Sequence, residues 1–167
     1  MDKIERFISR FSAVDGIEIV NTLFSYVKTE DISTMICDFY REKSAPHLHE
    51  IKEIVENYVV CEVDNKSDAI LVAYINDIPV GMIIVSNDAI DYFDTRNIAQ
   101  ISSLYIKPEY RSNYKIVCCL MAHALEQASC ISSTFILQTT EEHIMKKYKS
   151  LFGFRVTDVI YQLEGVM

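Results

Sequence analysis

The residues best suited to bind an anion lie in the stretch IKPEYRSNYKI, residues 106–116. Pro108 breaks an extended segment, Arg111 and Lys115 supply cations, and a helical pattern follows from Tyr114. The first N–H groups of a helix have no partner within it and carry a partial positive charge, so they bind phosphate well. Loops of this kind usually contain glycine, whereas this one has none. The stretch is therefore compatible with a phosphate-binding loop, with a loop that has lost its ligand, or with a plain turn.

Length and composition predict one globular domain over residues 1–167. Hydrophobic residues make up 50% of the chain and charged residues 24%, which is typical of a folded rather than a disordered protein. No apolar run reaches the roughly 18 residues of a membrane span, and the N-terminus MDKIERFISRF lacks the apolar core of a secretory signal. We therefore expect a cytoplasmic protein with no membrane partner.

The cysteines and histidines give little support for a disulfide framework or a metal site. The five cysteines are odd in number and include no C-x-x-C pair, which favours reduced core residues. His47 and His49 are two residues apart and would not share a helix face, and His123 is expected at a helix edge, so no metal is expected. A net charge of −8 disfavours nucleic acid as a partner and mildly favours a cationic or lysine-rich one.

The hydrophobic pattern changes from helical to strand-like near Val59. Before this point, apolar residues recur at helical spacing in four segments, which begin at Ile4, at Asp15 or Gly16, at Asp31 or Ser33, and at His47. The following patterns predict a strand at 59–63, a hairpin of 69–75 and 80–86, a strand at 98–106, a helix with apolar residues from 116 to 125, a strand at 134–139, a helix at 140–152 and a last strand at 154–163. The order predicts an α/β domain with a helical N-terminal part.

The strand at 98–106 contains a break in its alternation. Ile101 lies on one parity, whereas Leu104 and Ile106 lie on the other. Such a slip predicts a β-bulge, in which one extra residue interrupts the pairing of two strands, and bulges are common beside active sites.

Three stretches, taken in order, resemble the GNAT family of acyl-CoA-dependent N-acyltransferases. NDIPVGMIIV is similar to the family's hairpin, ISSLYIKPEYR to its central strand and the start of its acyl-CoA loop, and YKSLFGF to the end of its last helix. The resemblance extends from residue 69 onward. It implies an α/β fold with a mixed, mostly antiparallel sheet flanked by helices. Residues 1–58 would form a helical acceptor-side region and residues 59–167 the acyl-CoA-binding core.

The resemblance also implies an activity, the transfer of an acetyl group from acetyl-CoA to a primary amine of a small molecule or a protein. The central strand, at Leu104, Tyr105 and Ile106, would bind the pantetheine arm and polarise the thioester. The loop would bind the pyrophosphate through six successive residues: Arg111, Ser112, Asn113, Tyr114, Lys115 and Ile116. Tyr148 is the candidate acid that protonates the leaving thiolate.

The sequence departs from the family pattern in this loop. Tyr114 and Ile116 stand where the family has glycines, which let the backbone approach the phosphates. The bulk of Ile116 is expected to press on the pyrophosphate, whereas Tyr114 would leave the amides free if it pointed outward. Ser112, Asn113 and Lys115 offer a hydroxyl, an amide and a cation in compensation.

A general base is not evident from the sequence. The family's strand glutamate is replaced by residues that are not bases at pH 7, namely Gln100, Ser102 and Ser103. Three carboxylates follow or precede this strand and are expected to be solvated loop charges: Asp91, Asp94 and Glu109. Tyr148 precedes Gly153 by five residues, where the family has four, and the extra residue rotates its position on the helix by about 100°.

Two functions other than acetyl transfer fit these departures. The first is a non-catalytic GNAT-like protein that binds a partner through its N-terminal helices. The second is an acyl-CoA sensor that keeps the cofactor but not the chemistry. The directions of the Tyr114 and Ile116 side chains distinguish the non-catalytic protein from one that binds acyl-CoA.

Overall fold

The computed structural model describes residues 3–42, 68–86, 99–132, 135–137 and 142–152, together with residues 53, 55–57 and 59, which are helical. The helices and strands, in chain order, are α1 (Lys3–Phe11), β1 (Glu18–Asn21), α2 (Thr29–Glu42), β2 (Ala69–Ile75), β3 (Ile78–Ser86), β4 (Ala99–Ile106), a short 3₁₀ helix (Pro108–Tyr110), α3 (Tyr114–Ile131), β5 (Phe135–Leu137) and α4 (Glu142–Phe152).

The five strands form one sheet in the order β1-β2-β3-β4-β5. The first four pair antiparallel with their neighbours, and β5 pairs parallel with β4. This mixed, mostly antiparallel sheet with flanking helices confirms the predicted α/β fold class.

Each face of the sheet is covered by a separate hydrophobic layer. On one face, α3 packs against β2, β3 and β4 through fully buried side chains, among them Ile83, Ile101, Ile116, Leu120 and Leu125. On the other face, α2 and two residues of the helical 53–59 stretch cover a second group, which includes Ile32, Met35, Val55, Val59, Ile70, Met82 and Tyr105. Because both faces are covered, the central strands β2 and β3 are almost continuously apolar, as expected for a sheet buried on both sides.

The β2–β3 hairpin is joined by a two-residue turn. Asn76 and Asp77 both have positive φ angles, 51° and 63°, which is the backbone of the tight turn that matches the twist of paired strands. Asparagine and aspartate tolerate this conformation better than other non-glycine residues. The predicted hairpin is therefore confirmed, and its turn is set by local chemistry.

The prediction of a helix that begins at Asp15 or Gly16 is wrong, because Glu18–Asn21 forms strand β1. Its residues pair antiparallel with β2, from Glu18 opposite Tyr74 to Asn21 opposite Leu71. The β-branched pair Ile19 and Val20 suits a strand, and pairing with β2 satisfies backbone groups that β2 would otherwise expose. Pairing with β2 thus decides the conformation of these residues, although their apolar spacing also fits a helix.

Two neighbouring boundaries also differ from the expected ones. Helix α2 begins at Thr29, before Asp31 and Ser33, and Val59 is helical rather than part of a strand. The rest of the predicted strand at 59–63, the first residues of the predicted helix at 140–152 and the predicted strand at 154–163 lie outside the described residues. Gly153, His47 and His49 also lie outside them. His123 is half-buried at the edge of α3, where its Nε2 lies 3.0 Å from the Ser12 carbonyl oxygen.

Replacing Gly81 by alanine should destabilise the fold, because β3 approaches β4 closely at this residue. An added Cβ would lie 2.5 Å from Cδ1 of Ile106 and 2.8 Å from the backbone oxygen of Tyr105. We expect Gly81→Ala to lower the free energy of unfolding by about 1–3 kcal/mol, as measured by urea denaturation. The control is Ile78→Ala on the same strand, whose side chain is 49% exposed and whose loss should cost less than about 1 kcal/mol. Equal losses in the two variants would contradict this account of Gly81.

Candidate functional site

Strand β4 continues well beyond its pairing with β5. The two strands pair from Ala99 opposite Phe135 to Ile101 opposite Leu137, and β4 then runs on to Ile106. Among the described residues, no strand lies beside residues 102–106 on the side away from β3. We call this side of residues 102–106 the open edge.

The open edge presents backbone groups of β4 to an incoming ligand. The N–H of Lys107 donates to the carbonyl of Val80 on β3 at 2.9 Å. Because successive residues of a strand direct their backbone groups to opposite sides, the N–H and C=O of Ile106 point away from β3. Leu104, on the other side of Tyr105, belongs to the same unpaired stretch of β4. An extended ligand with amide groups could therefore add to β4 as a further strand.

A β-bulge interrupts β4 in the middle of the open edge. Met82 pairs with Tyr105 and Ile84 pairs with Ser102, so the single intervening residue of β3 faces two residues of β4, Ser103 and Leu104. Ser103 has a φ of 52°, a left-handed conformation that serine adopts rarely. The predicted bulge is confirmed. It interrupts the pairing of β4 with β3 at residues 103 and 104, within the open edge.

The loop after β4 ends at the N-terminus of α3, which Asn113 caps. The Oδ1 of Asn113 accepts a hydrogen bond from the N–H of Lys115 at 3.2 Å, and its backbone oxygen accepts one from Ile116 at 3.1 Å. The N–H of Asn113 itself donates to Tyr110 at 3.0 Å. These bonds shape the loop without glycine.

Two N–H groups of the loop, those of Ser112 and Tyr114, have no hydrogen-bond partner among the described residues. The Tyr114 side chain is 63% exposed and points away from the core, which leaves the backbone beneath it accessible. These amides and the positive end of the α3 dipole favour an anion at this place.

The expectation that Ile116 presses on the pyrophosphate is wrong, because its side chain is fully buried. It has 0% exposure and packs with Leu120 in the layer between α3 and the sheet. Residues four apart share a helix face, so the spacing of these two apolar residues already indicated that Ile116 points inward. Substituting this residue would therefore test folding rather than ligand binding.

Arg111 connects the loop, the end of β4 and helix α2. Its Nε donates to the carbonyl oxygen of Ile106 at 2.9 Å, and its Nη2 lies 2.6 Å from both carboxylate oxygens of Glu42. Its guanidinium carbon is 5.8 Å from the ring centre of Tyr105. Glu42 was not identified from the sequence, because no local pattern links residues that are 69 positions apart.

Tyr105 is a buried residue with a protonated phenol. Burial raises the pKa of its hydroxyl, Asp38 and Glu42 raise this pKa further, and Arg111 lowers it. At neutral pH the phenol is therefore neutral and can donate a hydrogen bond, but it cannot serve as a base. Its side chain faces α2, so it does not line the open edge.

The described residues give no carboxylate a clear role as general base. Glu109 is exposed on the short 3₁₀ helix, in agreement with its expected place in a solvated loop. Asp91 and Asp94 lie outside the described residues. Tyr148 lies within α4, but its side chain is also outside them, so its role as the acid stays a prediction.

Two further expectations concern metals and membranes. Among the described residues, no group of three or more histidine, cysteine, aspartate or glutamate side chains could bind a metal ion. Nor does the described part of the chain contain a helix that is long and apolar enough to cross a membrane.

Ser103 provides a test of the bulge. We expect Ser103→Val to lower the free energy of unfolding by about 1–3 kcal/mol, because a β-branched side chain is poorly accommodated at positive φ. Ser103→Gly is the control, since glycine adopts this conformation freely and should leave stability within about 1 kcal/mol of the wild type. Urea denaturation measures both. A valine variant as stable as the glycine variant would show that Ser103 is not in the left-handed conformation.

No protein-family model and no curated protein matches the sequence. Solved structures do match. A GCN5-related N-acetyltransferase from Ralstonia eutropha is 17% identical, with a TM-score of 0.64 over 90% of this chain and 100% of that one. A predicted acetyltransferase from Clostridium acetobutylicum with acetyl-CoA is 17% identical, with a TM-score of 0.64 over 89% and 96%. An aminoglycoside N-acetyltransferase in complex with CoA is 14% identical, with a TM-score of 0.65 over 89% and 94%.

These similarities establish the fold. The chain has the fold of GCN5-related N-acetyltransferases, as its resemblance to the GNAT family predicted. The matched structures are acetyltransferases, and two of the three contain CoA or acetyl-CoA. At identities of 14–17%, this likeness does not extend to substrate.

Proposed function

From this acetyltransferase fold, we propose that the protein transfers an acetyl group from acetyl-CoA to a primary amine. One observation carries the proposal: the open edge of β4 leads directly to the free N–H groups of Ser112 and Tyr114 at the start of α3. An acyl-CoA needs both features, because its pantetheine arm contains amides and its diphosphate is an anion. We infer that the open edge would take the pantetheine arm by strand addition and that the free N–H groups beside it would take the diphosphate.

The residues of the open edge and the loop fit acetyl-CoA as the acyl donor. Leu104 and Ile106 would pair with the amides of the pantetheine arm, and Ser112 and Tyr114 would donate to the diphosphate. Arg111 and Lys115 would add positive charge beside it, which a protein of net charge −8 needs in order to attract an anionic donor. The exposed side chain of Tyr114 leaves room for the phosphates.

The bulge would supply the electrostatic part of catalysis. When bound, acetyl-CoA supplies an acetyl thioester, which a neutral amine attacks to form the amide bond and release the thiolate. The backbone N–H groups near Leu104 would stabilise the negative charge that develops on the carbonyl oxygen. Tyr148 would give its proton to the leaving thiolate. The ammonium form of the amine would lose one proton to water before attack, the attacking nitrogen would lose a second to water after the C–N bond forms, and Tyr148 would regain its proton from water.

Binding of acyl-CoA without catalysis is the second candidate function. It is favoured by the replacement of the family's strand glutamate with Gln100, Ser102 and Ser103, none of which is a base at pH 7. A protein of this kind would bind acetyl-CoA at the same loop but would not turn it over.

A negative charge introduced at position 112 should weaken binding of acetyl-CoA, because the Ser112 side chain is exposed next to the free amides. We expect micromolar binding by titration calorimetry, weakened about tenfold or more in Ser112→Asp, because a carboxylate there would repel the diphosphate. Ser112→Asn is the matched control, with a similar shape and no charge, and should bind within about threefold of the wild type. An unchanged affinity in Ser112→Asp would place the diphosphate elsewhere, and no binding at millimolar concentration would reject the proposed function.

Acetyl transfer should require an unmodified amine and should increase with pH. The wild-type protein is incubated with acetyl-CoA and a polyamine, an aminoglycoside or a lysine-rich peptide, and acetylated product is measured by mass spectrometry. The same acceptors with every amine already acetylated are the control. An alkylamine with a pKa near 10.4 gains about tenfold in its neutral fraction per pH unit below that value, so the rate should rise from pH 7 to 9. Binding without product from any amine would favour the second candidate function.

A further inference from the structure

The ion pair between Glu42 and Arg111 lies across the end of the open edge. Glu42 is the last residue of α2, and Arg111 belongs to the loop that leads into α3. The same guanidinium donates to the Ile106 carbonyl, which points away from β3. Arg111 therefore occupies one of the backbone acceptors that an added strand would use.

The ion pair of Arg111 with Glu42 can be replaced by an ion pair of Arg111 with a diphosphate. The Arg111 and Glu42 side chains are 46% and 42% exposed, so water screens their attraction and the pair is a weak one. A diphosphate offers more negative charge and several acceptor oxygens, and arginine binds such groups through strong, charge-assisted hydrogen bonds. The free N–H of Ser112 lies next to Arg111 in the chain, so an anion bound there would be close to the guanidinium.

We propose that Glu42 is a positioning residue that holds Arg111 against the open edge. The donor's diphosphate then replaces the Glu42 carboxylate as the partner of Arg111. The inference rests on the proposed function, since the competing anion is that of acetyl-CoA. On binding, Arg111 exchanges a carboxylate for a phosphate and frees the Ile106 carbonyl for the pantetheine arm. Glu42 thereby competes with the donor for the same cation.

The exchange couples the donor loop to α2. While the pair is intact, the C-terminal end of α2 is tied to the loop; once the diphosphate takes Arg111, this tie is lost. The buried residues of α2 would stay packed on the face of the sheet opposite α3, so binding of the donor would free only the C-terminal end of α2 from the loop. The carboxylate of Glu42, freed from Arg111, would then be available to a cationic acceptor, which favours binding of the donor first.

Removal of the Glu42 charge should therefore strengthen donor binding. We expect Glu42→Gln to bind acetyl-CoA about fivefold more tightly than the wild type in titration calorimetry, because Arg111 no longer has to leave a carboxylate. A purely structural role would predict the opposite, since loosening the loop weakens binding. Asp38→Asn is the matched control: it makes the same change in charge one helical turn earlier, and Asp38 pairs with Arg41 rather than Arg111. It should change the affinity by less than about twofold.

The double variant Glu42→Gln, Arg111→Gln tests whether the effect passes through Arg111. In the Arg111→Gln background, Glu42→Gln should give no gain, so the two changes should be non-additive. Thermal unfolding of all four variants verifies that they are folded.

The outcomes separate this inference from the function on which it rests. Tighter binding in Glu42→Gln alone, with measurable binding by the wild type, supports it. Wild-type binding with an equal or weaker affinity in Glu42→Gln overturns the inference and leaves the proposed function standing. An equal gain in Asp38→Asn, or a gain that persists without Arg111, overturns it in favour of general charge repulsion. No binding by either protein at millimolar acetyl-CoA rejects both.

Discussion

The early end of the β4–β5 pairing is the constraint on which the candidate site depends. Within the described residues, β5 pairs with Ala99–Ile101 only, although β4 continues to Ile106. Backbone groups that face β3 are satisfied there, and those on the other side form the open edge. The bulge at Ser103 and the close approach at Gly81 act on this same strand. The sheet thus offers an extended ligand the groups that a neighbouring strand would have used.

The loop after β4 would bind the proposed anion without glycine. Glycine provides a left-handed backbone or space beside the ligand. Among the described residues, positive φ angles occur at Gly16, Asn76, Asp77 and Ser103, all of them outside this loop. Space comes instead from the directions of two side chains, with Tyr114 exposed and Ile116 buried. In the proposed site, neither role would then need a glycine, and the N–H groups of Ser112 and Tyr114 have no partner among the described residues.

Much of the fold was predictable because it follows local rules. The hairpin was predicted from two apolar runs around a polar turn, the bulge from one break in alternation, and helices α1, α3 and α4 from apolar spacing. The inward direction of Ile116 was predictable for the same reason, since Leu120 follows it at helical spacing, yet the family pattern led to the opposite expectation. Strand β1 was not predictable, because its four residues become a strand only through pairing with β2.

The sequence by itself determined the elements whose cause is local. The turn at Asn76 and Asp77 and the cap at Asn113 follow from the preferences of adjacent residues, and the bulge beside Ser103 follows from the break in apolar alternation. Only the tertiary structure decided which edge of β4 stays open and which partner Arg111 takes. Both depend on residues far apart in the chain, such as Glu42 and Arg111, whose separation leaves no periodicity to detect. Local chemistry specifies the parts of this site, and long-range packing specifies how those parts meet.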